Sequence, residues 1–251
     1  MALNMDRPEL TVIQRAVLKH LPSLGLPLGA RVLDAPCGGC ASLTVALRER
    51  GFAAIGADID PEAVMHLGAA FQKVNLDGTL PWPNRSFDAV VSTEGIEHFE
   101  NHYSFLREMH RILKPGGSLL LTTPNITALR SRVRFFGSGF FGRDARPLNE
   151  AARHPLHHIG LATFPELRYE LHVSGFRLSE VRHTHIKPVS YLYSIYLPWI
   201  WLYTLMAFRK EKDPAQRERN KEIRRTLHSF SLLFGEGLML IARKARTVGD
   251  H

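Results

Sequence analysis

The chain has 251 residues, of which 45% are hydrophobic and 22% charged, and these values fit an ordinary globular protein. Lys and Arg outnumber Asp and Glu by 32 to 24, so the net charge is +8 and the pI is about 9.8. This surplus favours anionic partners but does not choose among nucleic acid, phosphorylated substrates and an acidic membrane surface. The length suits one α/β domain with insertions, or at most two small domains.

The two cysteines, Cys37 and Cys40, form a single CxxC. No second pair exists to complete a zinc site, and two cysteines cannot form a disulfide scaffold at this size. The first residues, MALNMDRPELTV, lack the apolar core of a signal peptide. We therefore expect a cytoplasmic protein.

Strands and helices are predicted to alternate through the first half of the chain. Short apolar runs predict strands, and amphipathic runs closed by Gly or Pro predict helices. After a helical cap within 1–29, the predicted elements are strand one at 31–35, a helix at 41–51, strand two at 52–60, a helix at 61–70, strand three at 71–75, strand four at 87–93, a helix at 101–114 and strand five at 118–123. This alternation predicts a parallel sheet with helices on both faces.

Ligands of such sheets bind beyond the carboxyl ends of the strands, so the residues there are the informative ones. The turn DAPCGGC at 34–40 follows strand one, and Asp58 lies near the end of strand two. A Gly-containing turn followed by an acid is the general nucleoside-binding arrangement, because the acid can accept hydrogen bonds from ribose hydroxyls. The later strands are followed by Asn75 and Leu76, by Glu94, Glu97 and His98, and by Pro124 and Asn125.

Two other interpretations of the turn stay open. A dinucleotide dehydrogenase carries GxGxxG, whereas only Gly38 and Gly39 stand here, so pyrophosphate binding is poorly supported. A thioredoxin-like CxxC also follows a strand and opens a helix, but it would leave the acids after strands two and four without a role.

Four motifs, in this order, resemble the class I S-adenosylmethionine-dependent methyltransferases, in the branch that includes small-molecule, quinone and surface-glycan methyltransferases. VLDAPCGGCAS is similar to the family's LDxGCGxG, and IGADIDPEAV to its GxDxSxxxL. LPWPNRSFDAVVSTEGIEHF resembles LPFPDxSFDxVxxxxxxEH, and RILKPGGSLLLTTPN resembles the strand-five motif. The set covers about residues 30–125, with two departures: Pro36 replaces the first glycine of the loop, and Cys40 replaces the last.

The resemblance implies a Rossmann-like, mostly parallel seven-stranded sheet with an antiparallel last strand pair, and S-adenosylmethionine as cofactor. The residues expected to face the methionine part of the cofactor are Asp34, Ala35, Pro36 and Gly38. Those expected at its nucleoside are Asp58 on the ribose, Ile59 on the adenine face, and Asn75 and Leu76 at the adenine edge, with Glu94 as a further cofactor contact. The simpler alternatives are a helix cap for Asp58 and a turn residue for Asn75.

Histidines are the candidates for proton transfer, because a hydroxyl acceptor benefits from a base with a pKa near 7. We predict His98 and His158 as catalytic residues, and Glu97, Arg132 and His157 as acceptor contacts. A hydrogen-bond bridge to a neighbouring loop is the alternative role for His98. No acid lies at regular ligand spacing beside the histidines of ARHPLHHIG (152–160), so no metal is expected.

Residues 130–160 are predicted to form an active-site loop. Its first part, RSRVRFFGSGFFGRDAR, combines five arginines with paired phenylalanines and glycines, which suits a mobile cap over a phosphate-bearing acceptor. RNA binding and a solvated connection are the alternatives.

A helix at 164–173, strand six at 176–185 and strand seven at 237–245 are predicted to complete the domain, which comprises 1–186 and 234–251. The remaining segment, 187–233, is an insertion that we call the arm. Its uncharged stretch YLYSIYLPWIWLYTLMAF predicts an apolar helix kinked by Pro198, followed by a basic amphipathic helix at 213–234.

The arm is predicted to touch a membrane without crossing it. Eighteen helical residues would reach roughly 27 Å, but a single span would leave strand seven on the wrong side. Its tyrosines and tryptophans favour the headgroup level, and its second helix is strongly basic. We therefore expect contact with an anionic surface such as the inner face of the cytoplasmic membrane. A homodimer interface and an active-site lid are the alternatives.

The leading functional hypothesis is S-adenosylmethionine-dependent O-methylation of a sugar, glycan or lipid-linked intermediate, with a quinone-type phenol as an alternative small-molecule acceptor. The rival classes are a non-catalytic cofactor-binding or assembly protein and an RNA methyltransferase. STEGIEH stands where enzymes that methylate amino groups of bases carry an NPPY-like segment, which argues against nucleic acid despite the positive charge.

Overall fold

A seven-stranded sheet forms the centre of the computed structural model, which describes residues 9–60, 62, 67–141, 147–151 and 157–245. Its strands are β1 (Arg31–Asp34), β2 (Ala53–Asp58), β3 (Phe71–Lys73), β4 (Phe87–Thr93), β5 (Leu113–Pro124), β6 (Phe176–His183) and β7 (Gly237–Lys244). They lie in the order β3-β2-β1-β4-β5-β7-β6, and β7 is antiparallel to both of its neighbours. The predicted Rossmann-like sheet with an antiparallel last pair is therefore confirmed.

Helices cover the sheet, and side-chain caps fix where several of them begin. The α-helices are α1 (Val12–His20), α2 (Ser42–Glu49), α3 (His102–Ile112), α4 (Leu129–Ser138), α5 (Phe164–Val173), α6 (Leu197–Phe208), α7 (Pro214–Leu227) and α8 (Phe230–Phe234). Short 3₁₀ helices occupy Leu21–Leu24, Gly68–Ala70, Ile96–His98 and Pro188–Tyr196. Thr11 and Thr163 each open a helix through a reciprocal capping box.

The two faces of the sheet are covered by different helices, because successive residues of a strand point to opposite sides. Val32 of β1 packs with side chains of α1 and α2, whereas its neighbour Leu33 packs with side chains of α3 and α5. Since both faces are buried, the middles of the central strands are continuous apolar runs rather than alternating ones: 32–33, 89–91 and 119–121.

Several predicted strand boundaries differ from the structure: β2 ends at Asp58 rather than 60, β6 at His183 rather than 185, and two further ends have a clear local cause. β5 begins at Leu113 rather than 118, because the Pro115-Gly116-Gly117 run lies inside the strand, where the β4–β5 register shifts between Phe87 and Ala89. β3 ends at Lys73 rather than 75, because the side-chain Oδ1 of Asn75 accepts the Asp77 N–H and turns the chain.

The arm differs from its prediction in two ways. Pro198 does not kink a helix; it lies in the first turn of α6, where its missing N–H has no partner to lose, and the preceding residues are 3₁₀. The predicted basic helix at 213–234 is two helices, because Ser229 caps α8 by accepting the Leu232 N–H.

The arm is only partly separate from the core. Leu227 and Leu232 belong to the main hydrophobic cluster, and Phe208 and Ile223 pack against it, whereas the rest of α6 is not buried. Among the described residues, no helix has both the length and the apolar character needed to cross a membrane.

Part of the predicted active-site loop is helical, because residues 129–138 form α4. Other parts of the predictions fall outside the described residues: the N-terminal segment 1–8, half of the predicted helix at 61–70 (61 and 63–66), and the loop segments 142–146 and 152–156, which include His154.

Candidate active site

The turn between β1 and α2 is shaped by close contacts with two glycines. A Cβ on Gly95 would collide with the Pro36 ring, so this ring packs directly on the backbone of Gly95, just after β4. A Cβ on Gly56 would come within 3.0 Å of the Cys37 sulfur, so the thiol packs over β2. Gly38 follows with φ near 67°, a left-handed conformation that glycine adopts at no steric cost.

The CxxC does not have the environment of a redox pair. Both thiols are free, and Cys37 is buried while Cys40 is exposed. Burial, together with the charges of Asp34 and Asp58, raises the pKa of Cys37 far above its usual value. Because the thiolate is the reactive form, Cys37 is inert, and the thioredoxin-like interpretation loses its support.

Asp58, the predicted ribose ligand, connects the end of β2 to the turn. Its Oδ2 accepts the Gly38 N–H at 2.8 Å and its Oδ1 accepts the Asp60 N–H at 3.1 Å. A carboxylate has about four lone-pair sites, so two remain for ribose hydroxyls. The adjacent Ile59 is 56% exposed and offers an apolar surface for a base to pack on.

Asp34 lies buried at the end of β1, beneath the same turn. Its Oδ2 accepts the Thr44 hydroxyl at 2.6 Å, while its Oδ1 has no partner among the described residues. Burial raises the pKa of this carboxyl to about 7. An unsatisfied buried oxygen at this point suits a ligand that brings an N–H donor.

Asn75 and Leu76 have different surroundings at the end of β3. Asn75 is exposed and makes the turn described above, so the alternative turn role is present in the structure. The side-chain Oδ1 of Asn75 keeps a second lone pair, which can accept a hydrogen bond from an adenine amine. Leu76 is buried in the main core.

Glu94 and Glu97 follow β4 as a pair of acids in a low-dielectric environment. Glu94 has a left-handed φ of 49°, which is uncommon for a residue with a side chain and is held here by its N–H bonding to Thr122. Glu97 is fully buried and accepts the Thr123 hydroxyl at 3.1 Å. Each carboxylate has one oxygen without a partner among the described residues.

Burial raises the pKa of Glu94 to about 7, and burial together with the Glu94 charge raises that of Glu97 to about 8. With Asp34, they form a set of three acids whose unsatisfied oxygens favour a cationic, N–H-bearing ligand. S-adenosylmethionine carries an ammonium and a sulfonium, so these residues fit it.

The histidines come together from distant parts of the chain. His98 Nδ1 lies 3.1 Å from the His157 carbonyl oxygen, and the Gly160 N–H donates to the Glu97 carbonyl at 2.8 Å. The ring of His158 meets that of His98 edge-on, with centroids 4.9 Å apart. Since a carbonyl can only accept, Nδ1 of His98 carries the proton, and Nε2 is the basic nitrogen of the neutral ring.

Glu97, His98 and His158 also form a group that could hold a metal ion, because one ligand atom from each lies within 4.8 Å of the others. The sequence prediction found no acid beside the histidines because Glu97 is close to His158 only in space.

Arg132, a predicted acceptor contact, lies on α4 rather than in a loop. Its Nε donates to the Thr127 carbonyl at 2.7 Å, and burial lowers its pKa. No carboxylate of the described residues is within ion-pair distance of it. A partly buried cation without an acid partner is suited to an anion on the acceptor.

The sequence interpretation missed three hydroxyl side chains that hold the site together: Thr44, Thr122 and Thr123. Two of them form the pair that ends the apolar strand β5. Adjacent hydroxyl residues at the carboxyl end of an otherwise apolar strand were the signal that could have found them.

Replacing Glu97 by Gln should change how stability depends on pH. In the unfolded chain this carboxyl loses its proton near pH 4.5, whereas in the folded chain it keeps it until about pH 8. The stability that it contributes is therefore fully present below about pH 4.5 and is lost as the pH rises to about 8. Relative to wild type, the variant should gain a few kcal/mol in the free energy of unfolding between pH 5 and pH 9.

Urea unfolding of the cofactor-free protein at several pH values measures this difference. Glu218→Gln is the matched control, because Glu218 is exposed on α7. If Glu97→Gln and Glu218→Gln show the same pH dependence, Glu97 does not hold its proton in the folded state.

Comparison with known proteins finds methyltransferases among the relatives of this chain. Residues 33–121 match the family model described as a methyltransferase domain. The chain is 34% identical, over 160 residues, to a probable S-adenosylmethionine-dependent methyltransferase of Mycolicibacterium smegmatis, which covers 61% of this chain and 54% of the relative. It is 37% identical, over 120 residues, to the mitochondrial ubiquinone biosynthesis O-methyltransferase of Rattus norvegicus, covering 42% of this chain and 34% of the relative.

The chain thus spans about half, or less, of the length of these curated relatives. Among solved structures, a SAM-dependent methyltransferase from Archaeoglobus fulgidus superimposes with a TM-score of 0.56 at 17% identity, covering 93% of each chain. At that identity the likeness concerns the fold alone.

Proposed function

Because residues 33–121 match a methyltransferase domain, we propose that this chain transfers a methyl group from S-adenosylmethionine to a hydroxyl oxygen on an aromatic, quinone-type ring. The observation that carries this proposal is the contact of Glu97, His98 and His158 beside the end of β4. These groups can accept the proton that a hydroxyl must lose when it is methylated.

The cofactor supplies an activated methyl group on a positively charged sulfur, so the protein has to hold and align the acceptor and remove its proton. The His157 carbonyl fixes the ring of His98 through Nδ1 and leaves Nε2 to take the proton. Glu97 and His158 flank that ring and can stabilise the positive charge it acquires. Asp34 and Asp58 are assigned to the cofactor.

The choice of acceptor differs from the sequence hypothesis, which favoured a sugar. Relatives that match this chain include enzymes named for O-methylation in ubiquinone biosynthesis, which favours a phenolic ring. The arm also favours a lipophilic acceptor. β6 ends at His183 and β7 begins at Gly237, beside the end of β5, so the arm emerges from the same edge of the sheet as the site.

A sugar on a lipid-linked intermediate is the second candidate. The observation that favours it is Arg132, whose partly buried guanidinium has no carboxylate partner among the described residues and could bind a phosphate of such an acceptor.

Transfer of labelled methyl from S-adenosylmethionine to two acceptors tests the proposal: a prenylated catechol and a sugar linked to a polyprenyl phosphate. We expect label in the catechol oxygen. Label in the sugar alone would overturn the quinone-type assignment in favour of the second candidate. Tight cofactor binding without transfer to either acceptor would favour a non-catalytic role.

A further inference from the structure

The outer surface of the arm exposes a patch of large apolar side chains. Leu192 is 74% exposed, Ile195 78% and Trp199 68%. None of the residues of α6 is buried, although the helix is apolar on every side. Such a helix is normally enclosed by protein or lipid, so its exposure indicates a surface whose partner lies outside the chain.

The patch continues onto α4, which packs against the 3₁₀ segment Pro188–Tyr196. Phe136 of α4 is 93% exposed. We call this surface the aromatic patch and define it by six exposed residues: Phe136, Leu192, Ile195, Trp199, Trp201 and Tyr203. Tyrosine and tryptophan beside aliphatic side chains are the composition found where protein meets lipid headgroups.

The inner side of the arm is fixed to the domain, so the aromatic patch is held in place. Glu236, just before β7, pairs with Arg130 of α4 at 2.7 Å and with Lys187 at 3.2 Å. Glu222 of α7 pairs with Arg168 of α5 at 3.0 Å. These contacts leave the outward side of the arm free for a partner.

The arm also carries most of the net positive charge of the protein. Residues 187–233 contain nine Lys and Arg against four Asp and Glu, so five of the eight surplus positive charges lie there. Arg209 and Lys210 follow α6 directly, are exposed, and have no carboxylate of the described residues within ion-pair distance. Each such charge near an anionic lipid surface strengthens binding by about fivefold.

The combination of apolar and cationic groups distinguishes between two possible partners of the arm, a second copy of the chain and a lipid bilayer. Two copies joined face to face would bring the same positive segments together, since an isologous contact pairs each patch with itself, and like charges would repel. An anionic bilayer satisfies both features, because its headgroups attract the cations while the aromatic side chains enter the headgroup region.

We propose that the aromatic patch and its flanking cations dock this protein on the surface of an anionic lipid bilayer. The arm that carries this surface emerges from the edge of the sheet that holds the active site, which gives a lipophilic acceptor a short path from the membrane. Docking does not require any particular acceptor, so it stands or falls separately from the proposed reaction.

Flotation of the full chain with vesicles tests this proposal, using phosphatidylcholine alone and phosphatidylcholine with 30 mol% phosphatidylglycerol. Wild type should float with the anionic vesicles and at least tenfold less with the neutral ones. Replacing Arg209 and Lys210 by Gln should weaken binding roughly 20-fold at low salt and little at high salt, because exposed charges are screened. Replacing Trp199 and Trp201 by Ser should weaken it at both salt concentrations.

Matched controls separate docking from general surface effects. Tyr169→Ser removes an aromatic side chain that is 61% exposed on α5, and Arg50→Gln removes an exposed cation at the end of α2, just before β2 begins. Both controls should bind vesicles like wild type, and every variant should keep its circular dichroism spectrum and cofactor affinity. Wild type that stays in the soluble fraction overturns the proposal. So does a stable dimer that the Trp changes dissociate, because the arm would then be an oligomer contact.

Discussion

Replacing His98 by Gln should lower kcat for methyl transfer to a prenylated catechol by about 10²- to 10⁴-fold, the usual contribution of a positioned general base. Gln can still donate to the His157 carbonyl, so the bridge between the 96–98 turn and the 157–160 loop survives while the basic nitrogen is lost. The Kd for S-adenosylmethionine should change by less than about threefold.

The pH profile distinguishes a base from a structural bridge. A phenolic hydroxyl loses its proton without a base near pH 10. The kcat of His98→Gln should therefore approach the wild-type kcat as the pH approaches that value. His110→Gln is the matched control, because His110 packs against Phe176 at the opposite edge of the sheet. A His98→Gln enzyme with wild-type kcat at neutral pH would leave His98 only its bridging role.

Replacing Asp58 by Ala should weaken the binding of S-adenosylmethionine by about 10- to 100-fold, the equivalent of losing hydrogen bonds worth roughly 1.5–3 kcal/mol to a charged group. The loss has two parts. Asp58 is the predicted acceptor for ribose hydroxyls, and it also holds the Gly38 N–H in the turn that faces the methionine part. Titration calorimetry measures the total loss of binding free energy.

A cofactor analogue without the ribose 2′-hydroxyl separates the two parts. Wild type should bind the analogue more weakly than S-adenosylmethionine, whereas Asp58→Ala should bind both alike, as a double-mutant cycle requires for a direct contact. Asp88→Asn is the control, because this acid bonds the Arg31 N–H and Lys114 at the opposite end of β4 and should leave affinity unchanged. An equal preference for the 2′-hydroxyl in wild type and Asp58→Ala removes Asp58 from the ribose site.

Sequence patterns were sufficient for the parts of the site that lie at strand ends. In a parallel sheet every carboxyl end reaches the same edge, so a residue's place in its own strand predicts its neighbours. Asp34, Asp58, Glu94 and Glu97 therefore come out near the same edge, as their positions along the chain indicate.

Loop contacts were not predictable in the same way. The approach of His98 to the 157–160 loop joins residues 59 apart in the chain, and nothing in the local pattern of either segment specifies the other. The pKa values of Glu94 and Glu97 depend likewise on how completely the surrounding core excludes water.

The arm shows the same division between local and tertiary causes. The sequence alone predicts that one part is apolar and aromatic and the next basic and amphipathic, since these are properties of composition and period. Which side chains are covered depends on tertiary packing. Leu227 and Leu232 fill space against the sheet, whereas α6 lies outside that contact and leaves Trp199 to the solvent. Burial depends on how closely segments from distant parts of the chain pack together, and the local sequence pattern does not specify that packing.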